Sequence, residues 1–197
     1  MDTAISIAIG LGLAAAAGFR VFVPLLVLSI AALTGHVHLS PSFAWAGTLP
    51  ALVAFATATL VEVAAYYVPW LDHLLDVVAT PLAVVAGVVV SAAVMIDMPP
   101  LLKWGLALIA GGGAAGVVQG ATVLARLKSS LATGGLANPL VSTAELFSSV
   151  FTAALSLVLP VLVLLLVAAG CAAIFIASGR FLFGRPKHAE SMQSPPR

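Results

Sequence analysis

The chain has 197 residues, of which 62% are hydrophobic and 8% are charged, and its formal net charge is +1. A soluble domain carries roughly 25% charged residues, so this composition excludes a soluble globular protein and indicates lipid as the solvent. The small net charge comes with no basic stripe, and we expect no nucleic-acid partner. The sequence therefore predicts an integral membrane protein whose partner is the lipid bilayer.

The apolar runs predict an all-α fold, a polytopic membrane helix bundle of about six transmembrane helices. The predicted spans are approximately residues 4–33, 50–70, 80–96, 103–127, 140–157 and 160–183. We divide the last apolar run between Leu157 and Pro160, because a single helix of that length would exceed about 60 Å. A re-entrant hairpin at 140–160 is the alternative. Between the second and third spans, WLDHLLD predicts a short interfacial helical turn with Asp72 and Asp76 on its solvated face.

An even number of spans places both termini on one side of the membrane. That side would hold Arg126, Lys128, Arg180, Arg185, Lys187 and Arg197. The other side holds only Lys103. The positive-inside rule then predicts cytoplasmic termini in the inner (plasma) membrane. We expect one transmembrane domain at 1–185 and a disordered cytoplasmic tail at 186–197.

The sequence also contains a candidate internal repeat. AAAAGFRVFVPLLVLSIAALTG (14–35) is similar to GAAGVVQGATVLARLKSSLATG (113–134), with Arg20 opposite Gln119. Repeats at 4–96 and 103–183 would have opposite orientations in the membrane, because a three-span unit inverts when it is repeated in tandem. This predicts two inverted three-helix repeats, and a shared alanine-rich composition is the alternative explanation.

Polar side chains recur on one face of three predicted spans, where residues three, four and seven positions apart align. These faces are Thr59, Glu62 and Tyr66; Gln119, Thr122 and Arg126; and Ser142, Glu145, Ser149 and Thr152. Arg20 lies within the first span, four residues before Pro24, whose missing N–H leaves the Arg20 carbonyl without its helical partner. Polar groups at membrane depth face protein or water rather than lipid.

We count one arginine and two glutamates at membrane depth. Arg20 can pair strongly with one carboxylate, and the other must be protonated, hydrogen-bonded or matched by a cation. The sequence therefore predicts a substrate or ion site at mid-membrane, formed by Arg20, Glu62 and Glu145 and lined by Gln119, Thr59 and Ser142. It does not indicate which glutamate pairs with Arg20.

Glycines in the fourth span predict helix packing. Gly112, Gly116 and Gly120 repeat every four residues on one helix face, which allows another helix to approach closely. A phosphate-binding loop would need a preceding strand and a following lysine-serine pair, and the sequence has neither.

Two classes of function remain open. The first is a small transporter or channel, working as a homo-oligomer on a small solute or ion, with one glutamate carrying the coupling proton or cation. The second is a structural or partner-binding membrane protein whose buried polar residues are interhelical glue. We expect no enzyme, because the buried residues offer no nucleophile with an adjacent base. We expect no cofactor and no metal, since His36 and His38 alone are a weak metal signal.

Five segments carry a resemblance to a known family: AAGFRVFVPLL, VEVAAYYVPWLDHLLD, TPLAVVAGVV, WGLALIAGGGAAGVVQG and LKSSLATGGLANP. They cover most of the chain from Gly10 to about Pro160. Together they resemble a family of bacterial integral membrane proteins known as domain of unknown function 4126. The resemblance implies a polytopic membrane protein and supplies no activity.

Overall fold

A computed structural model describes residues 2–183, and of residues 69–74, 175 and 177–183 it describes the backbone alone. The described chain is built from α-helices: α1 Thr3–Phe19, α2 Phe22–Leu33, α3 Leu49–Ala65, α4 Pro69–Val94, α5 Pro100–Leu106, α6 Gly112–Thr133, α7 Asn138–Val158 and α8 Pro160–Phe183. A 3₁₀ helix, Pro41–Gly47, precedes α3, and a π-helical segment, Ala107–Gly111, joins α5 to α6. The tail predicted at 186–197 lies outside the described residues.

Proline marks the start of most of these helices, because its missing N–H is not needed in the first turn. The break between α7 and α8 at Leu159 confirms the predicted division before Pro160. Pro81 instead lies inside α4, which already begins at Pro69. The predicted start of the third span near Thr80 was therefore wrong, and WLDHLLD is the beginning of that same helix.

The first predicted span, 4–33, is not one helix. α1 ends at Phe19, Arg20 is extended with φ −146° and ψ 128°, and α2 begins at Phe22. α1 runs antiparallel to α4, since the Ser91 hydroxyl donates to the Gly10 carbonyl at 3.0 Å. The opposite end of α1 packs beside the earlier part of α4, where Ala17 and Val21 share a core cluster with Ala79.

α2 then returns toward the end of the bundle from which α1 came. The Ser29 hydroxyl on α2 donates to the Ala46 carbonyl at 2.6 Å, and the Ser40 N–H donates to the Ala93 carbonyl at 2.8 Å. The last turns of α2 therefore lie at the level where α4 ends. α1 and α2 form a helical hairpin with Arg20 and Val21 at its tip. Apolar composition does not encode a reversal of direction, which is why the sequence predicted a single span.

Length and composition identify several helices that could cross a membrane. Among the described residues these are Leu75–Val94, Pro100–Thr133 and Asn138–Val158. The 3₁₀ helix and α3, bent by 67°, would form a fourth span together. Shorter apolar helices are Thr3–Phe19, Phe22–Leu33 and Pro160–Ile174. The fold is thus an all-helical, apolar bundle with at least three clear span candidates, and the count of six spans is not confirmed.

α1 is the central helix and packs against α4, α6, α7 and α8. Small residues permit this, because a Cβ at Gly18 would lie 2.5 Å from the Ala115 carbonyl oxygen on α6. Of the glycines predicted to pack, Gly112 would place a Cβ 3.0 Å from a Val88 methyl. A Cβ at Gly120 would meet no described atom within 4 Å. The close packing predicted for Gly120 was wrong, because Gly120 lines an open cavity between α4, α6 and α8.

The two predicted halves differ at the position that aligns them. The chain breaks its helix at Arg20, whereas α6 continues as a helix through Gln119. On the same helix, a Cβ added at Gly116 would lie 3.4 Å from a methyl group of Val84 on α4, which is an ordinary contact distance. The inverted repeat is not confirmed and stays a prediction.

Candidate functional site

Glu62 caps the hairpin tip from the neighbouring helix α3. Its Oε1 accepts the Val21 N–H at 2.8 Å, and its Oε2 accepts the Phe22 N–H at 3.1 Å. The first N–H groups of a helix have no intrahelical partners and form its positive end. The buried Glu62 carboxylate satisfies two of them at the start of α2 and favours the break at Arg20.

Glu145 on α7 is the carboxylate that faces Arg20. The Arg20 Nη2 lies 3.5 Å from Glu145 Oε2. Arg126 on α6 holds the same carboxylate from another side, with its Nε donating to Oε1 at 2.9 Å and its Nη2 donating to Oε2. Glu145 therefore lies between two guanidinium groups, and Glu62 is held by backbone N–H groups instead.

Arg126 was predicted among the basic residues of the cytoplasmic side and was left out of the buried charges, and this omission was wrong. Its side chain is buried, and its Nη1 lies 3.4 Å from Asp76 Oδ1 on α4. Asp76 was predicted on a solvated face, but only 13% of its side chain is exposed. The side chain of Asp72 is not described. Arg126 belongs to the polar face of Gln119 and Thr122, and this face turns toward α4 and α7.

Tyr66, one helical turn after Glu62, connects the two arginines. The guanidinium carbons of Arg20 and Arg126 each lie 4.0 Å from the centroid of its ring. A desolvated guanidinium over an aromatic face is attracted by the ring quadrupole. The tyrosine ring therefore stabilises two like charges that would otherwise repel each other in a buried site.

Two guanidinium groups and three carboxylates meet in the described part of the cluster. Arg20 and Arg126 pair with Glu145 and Asp76, and none of the ion pairs in the described chain involves Glu62. A buried charge is costly unless it is paired and hydrogen-bonded. Glu62 is thus the carboxylate whose charge is balanced by a helix terminus rather than by an arginine.

Arg20 itself is incompletely paired. Its Nη2 donates to the Ser142 carbonyl at 2.8 Å, while its Nε and Nη1 are buried and have no hydrogen-bond partner in the described structure. The Ser142 hydroxyl is likewise buried without a partner. A buried donor without an acceptor costs about 1–3 kcal/mol, so such groups are uncommon. The interior beside the hairpin tip therefore contains polar groups in excess of those needed for packing.

The remaining predicted residues divide between the cluster and the helix interfaces. The Thr59 hydroxyl donates to the Phe55 carbonyl of its own helix at 2.8 Å, and Thr59 does not line the cluster. Gln119 is buried on α6, where its carbonyl accepts the Thr122 hydroxyl at 2.9 Å. Ser149 donates to the Ala16 carbonyl of α1 at 2.9 Å and joins two helices.

A groove leads from the outer surface of the bundle to Glu62. It has a volume of about 550 Å³ and lies between α2, α3 and α4. Its walls are almost wholly apolar, and Glu62, Tyr66 and Thr57 are its polar members. Val61 and Val78 at its mouth are 63% and 49% exposed, so the groove opens on the lipid-facing surface. Glu62 can therefore be reached from outside the bundle.

The side chains that the structure describes offer little for a metal. Among the described residues, no three histidine, cysteine or carboxylate side chains lie close enough together to hold one. Glu145 and Asp76 already share Arg126. His36, in the loop after α2, places its Nδ1 2.8 Å from the Thr34 hydroxyl.

These features define a class of protein: an all-helical membrane protein whose buried charges converge at the tip of a helical hairpin. The chain belongs to the family described as domain of unknown function DUF4126, whose model matches residues 7–180. This confirms the resemblance drawn from the sequence motifs. No curated protein and no solved structure matches the chain.

Proposed function

We propose that the protein is a small membrane transporter or channel in which Glu62 carries the coupling proton. The observation that carries this proposal is the bond between the Glu62 carboxylate and the backbone of a broken helix. Protonation of Glu62 removes the negative charge that balances the α2 terminus, and one oxygen becomes a hydroxyl. Proton binding and the position of the hairpin tip are thereby coupled.

Glu145 has the complementary role of an anchor. It is held by both Arg126 and Arg20, so its ionised form is stabilised on two sides. The anchor fixes α6 and α7 around the tip while Glu62 exchanges its proton. Discontinuous helices with polar termini inside the bundle are the recurring way in which transporters build ion and substrate sites.

We infer the membrane orientation from the position of the cluster and the positive-inside rule. The charged cluster lies about 10 Å along α7 from Asn138, in a helix about 31 Å long, and thus nearer one end than the predicted mid-membrane. Lys128 lies toward that end of the bundle, and Lys103 lies at the other. By the positive-inside rule, we place the cluster nearer the cytoplasmic side of the plasma (inner) membrane. We also propose that the protein works as a homo-oligomer. In this orientation the beginning of α1 lies on the outer side, unlike the cytoplasmic N-terminus that the even number of spans predicted. The mechanism does not require an inverted repeat.

Proton flux through reconstituted protein tests this function. Purified protein in liposomes containing a pH-sensitive dye should carry protons under an imposed membrane potential, and Glu62→Gln should reduce that flux at least tenfold. Asp97→Asn is the matched control, because it removes an exposed carboxylate outside the cluster and should leave flux unchanged. Equal flux in wild type, Glu62→Gln and Glu145→Gln would refute the coupling role.

The second candidate is a structural membrane protein, and two hydrogen bonds favour it. The hydroxyls of Ser91 and Ser149 donate to carbonyls of α1 from two different helices, which is interhelical glue. This candidate predicts that Glu62→Gln lowers the free energy of unfolding while no flux is present in the wild type. Both candidates agree with the expectation from the sequence that the protein is not an enzyme, and that expectation stays a prediction.

A further inference from the structure

The hairpin tip already shows which chemical group it accepts. The N–H groups of Val21 and Phe22 bind the two oxygens of one carboxylate, that of Glu62, at 2.8 and 3.1 Å. A helix N-terminus attracts anions through these free donors and its positive end. A carboxylate brought by a ligand would find the same two donors.

Arg20 supplies the second, independent observation. It is 1% exposed, it directly precedes Val21, and its Nε and Nη1 have no partner in the described structure. Its guanidinium lies over the ring of Tyr66, which lines the groove beside Glu62. These two donors lie on different edges of the guanidinium, so each can give one hydrogen bond to an anionic oxygen. The interior therefore has hydrogen-bond donors for an anion in addition to the two N–H groups that Glu62 occupies.

The groove determines what is attached to that carboxylate. Its volume of about 550 Å³ is typical of a small-molecule site, and its walls are apolar up to Glu62 and Tyr66. A strongly hydrated inorganic anion would lose its water there without compensation. An apolar chain entering from the lipid-facing mouth would instead be stabilised along its whole length.

We propose that the groove and hairpin tip bind the ionised form of a carboxylic acid with an apolar tail, such as a free fatty acid. The ligand carboxylate takes the place of the Glu62 carboxylate on the Val21 and Phe22 N–H groups, and Glu62 leaves as the neutral acid after taking up a proton. The inference names the substrate class of the transporter proposed above, and its role as a substrate rests on that proposal. Binding itself does not require transport.

Glu62 is the group in the cluster that exchanges with the ligand, since its neighbours are otherwise engaged. The charged and titratable groups around it are Arg20 at the end of α1, Tyr66 at the end of α3, Asp76 on α4, Arg126 on α6 and Glu145 on α7. The side chains of Asp72 and His73 lie outside the described part of α4. Because one proton enters as one anion binds, acidification should tighten binding by up to tenfold per pH unit.

Binding of decanoate to the protein in lipid nanodiscs tests the inference, with empty nanodiscs subtracted. Decanoate should bind saturably and more tightly at pH 6 than at pH 8, and decanol, which has the same tail without the charge, should bind at least tenfold more weakly. Glu62→Gln should bind decanoate at pH 8 as tightly as the wild type does at pH 6. Equal affinity for decanoate and decanol, or no decanoate binding by either protein, would overturn the site.

A second pair of variants keeps the test valid if Glu62→Gln does not fold. Val78→Phe fills the groove and should abolish decanoate binding, whereas Val85→Phe, exposed on the same helix but outside the groove, should leave it unchanged. Equal loss or equal retention in both variants would refute the groove as the tail site. Proton flux without decanoate binding would refute this inference and leave the proposed transporter standing. Decanoate binding without proton flux would refute the transporter and leave the binding site standing.

Discussion

Arg126 and Glu145 form a bidentate ion pair in the interior of the bundle. The arginine Nε lies 2.9 Å from Oε1 of Glu145, and its Nη2 donates to Oε2. Both side chains are at most 5% exposed. The pair joins α6 to α7, and Arg20 adds the end of α1 to the same carboxylate. α6 and α7, which are consecutive in the chain, are thus joined to the distant helix α1 around one anion.

Neutralising Glu145 should be among the most destabilising single changes in the chain. Glu145→Gln leaves buried guanidinium charge uncompensated, and loss of one partner of a buried pair costs about 3–5 kcal/mol. Unfolding by denaturant in detergent measures this loss. In a double-mutant cycle, Glu145→Gln with Arg126→Gln should show a coupling energy of about 1–3 kcal/mol. Glu145→Gln with Asp97→Asn is the control pair, and coupling of the same size there would contradict the direct contact.

Glu62 should stabilise the break between α1 and α2 as a helix cap does. Glu62→Ala removes both acceptors of the Val21 and Phe22 N–H groups, and we expect a loss of about 0.5–2 kcal/mol in the free energy of unfolding. Glu62→Gln keeps one acceptor oxygen and should lose less. Thr57→Ala on the same helix is the control, since its hydroxyl bonds only to the Val53 carbonyl. Equal stability of Glu62→Ala and Thr57→Ala would argue against the cap.

Gly18 should tolerate no side chain, because α1 and α6 are in direct contact there. An alanine Cβ would lie 2.5 Å from the Ala115 carbonyl oxygen and 2.6 Å from Val118 Cβ. We expect Gly18→Ala to destabilise by about 1–3 kcal/mol, as overpacking does. Gly113→Ala is the matched control, because its Cβ would meet no described atom within 4 Å and alanine favours a helix. A more stable Gly18→Ala than Gly113→Ala would contradict this packing.

The hairpin makes a topological prediction that differs from that of a single first span. In a Cys171→Ser background, cysteines replacing Asp2 and His38 should react with a membrane-impermeant thiol reagent from the same side. A cysteine replacing Leu136, in the loop between α6 and α7, should react from the opposite side. A single span at 4–33 would place positions 2 and 38 on different sides. Labelling of intact and permeabilised cells distinguishes the two arrangements.

The sequence predicted features that depend on neighbouring residues, such as helix ends and helix faces. It did not predict which helices contact one another. Pro160 ends one helix and starts another because proline cannot donate within a helix, and that constraint is readable in the sequence alone. The face containing Gln119, Thr122 and Arg126 was also readable, since helical spacing fixes which residues align. Whether Arg126 faced solvent or protein depended on where α4 and α7 lay. Its place two residues before Lys128 favoured the wrong answer.

The sequence by itself determined that this is an apolar, all-helical membrane protein with Arg20, Glu62 and Glu145 inside, because composition and helical period decide burial residue by residue. Only the tertiary structure decided that Arg20 lies at the tip of a hairpin, that Glu145 and not Glu62 pairs with it, and that Arg126 and Asp76 complete the cluster. The physical reason is that these contacts depend on how whole helices pack in space, as when Arg20 at the end of α1 meets Glu145 on α7. A reversal at Arg20, stabilised by a carboxylate 42 residues later, has no local signature.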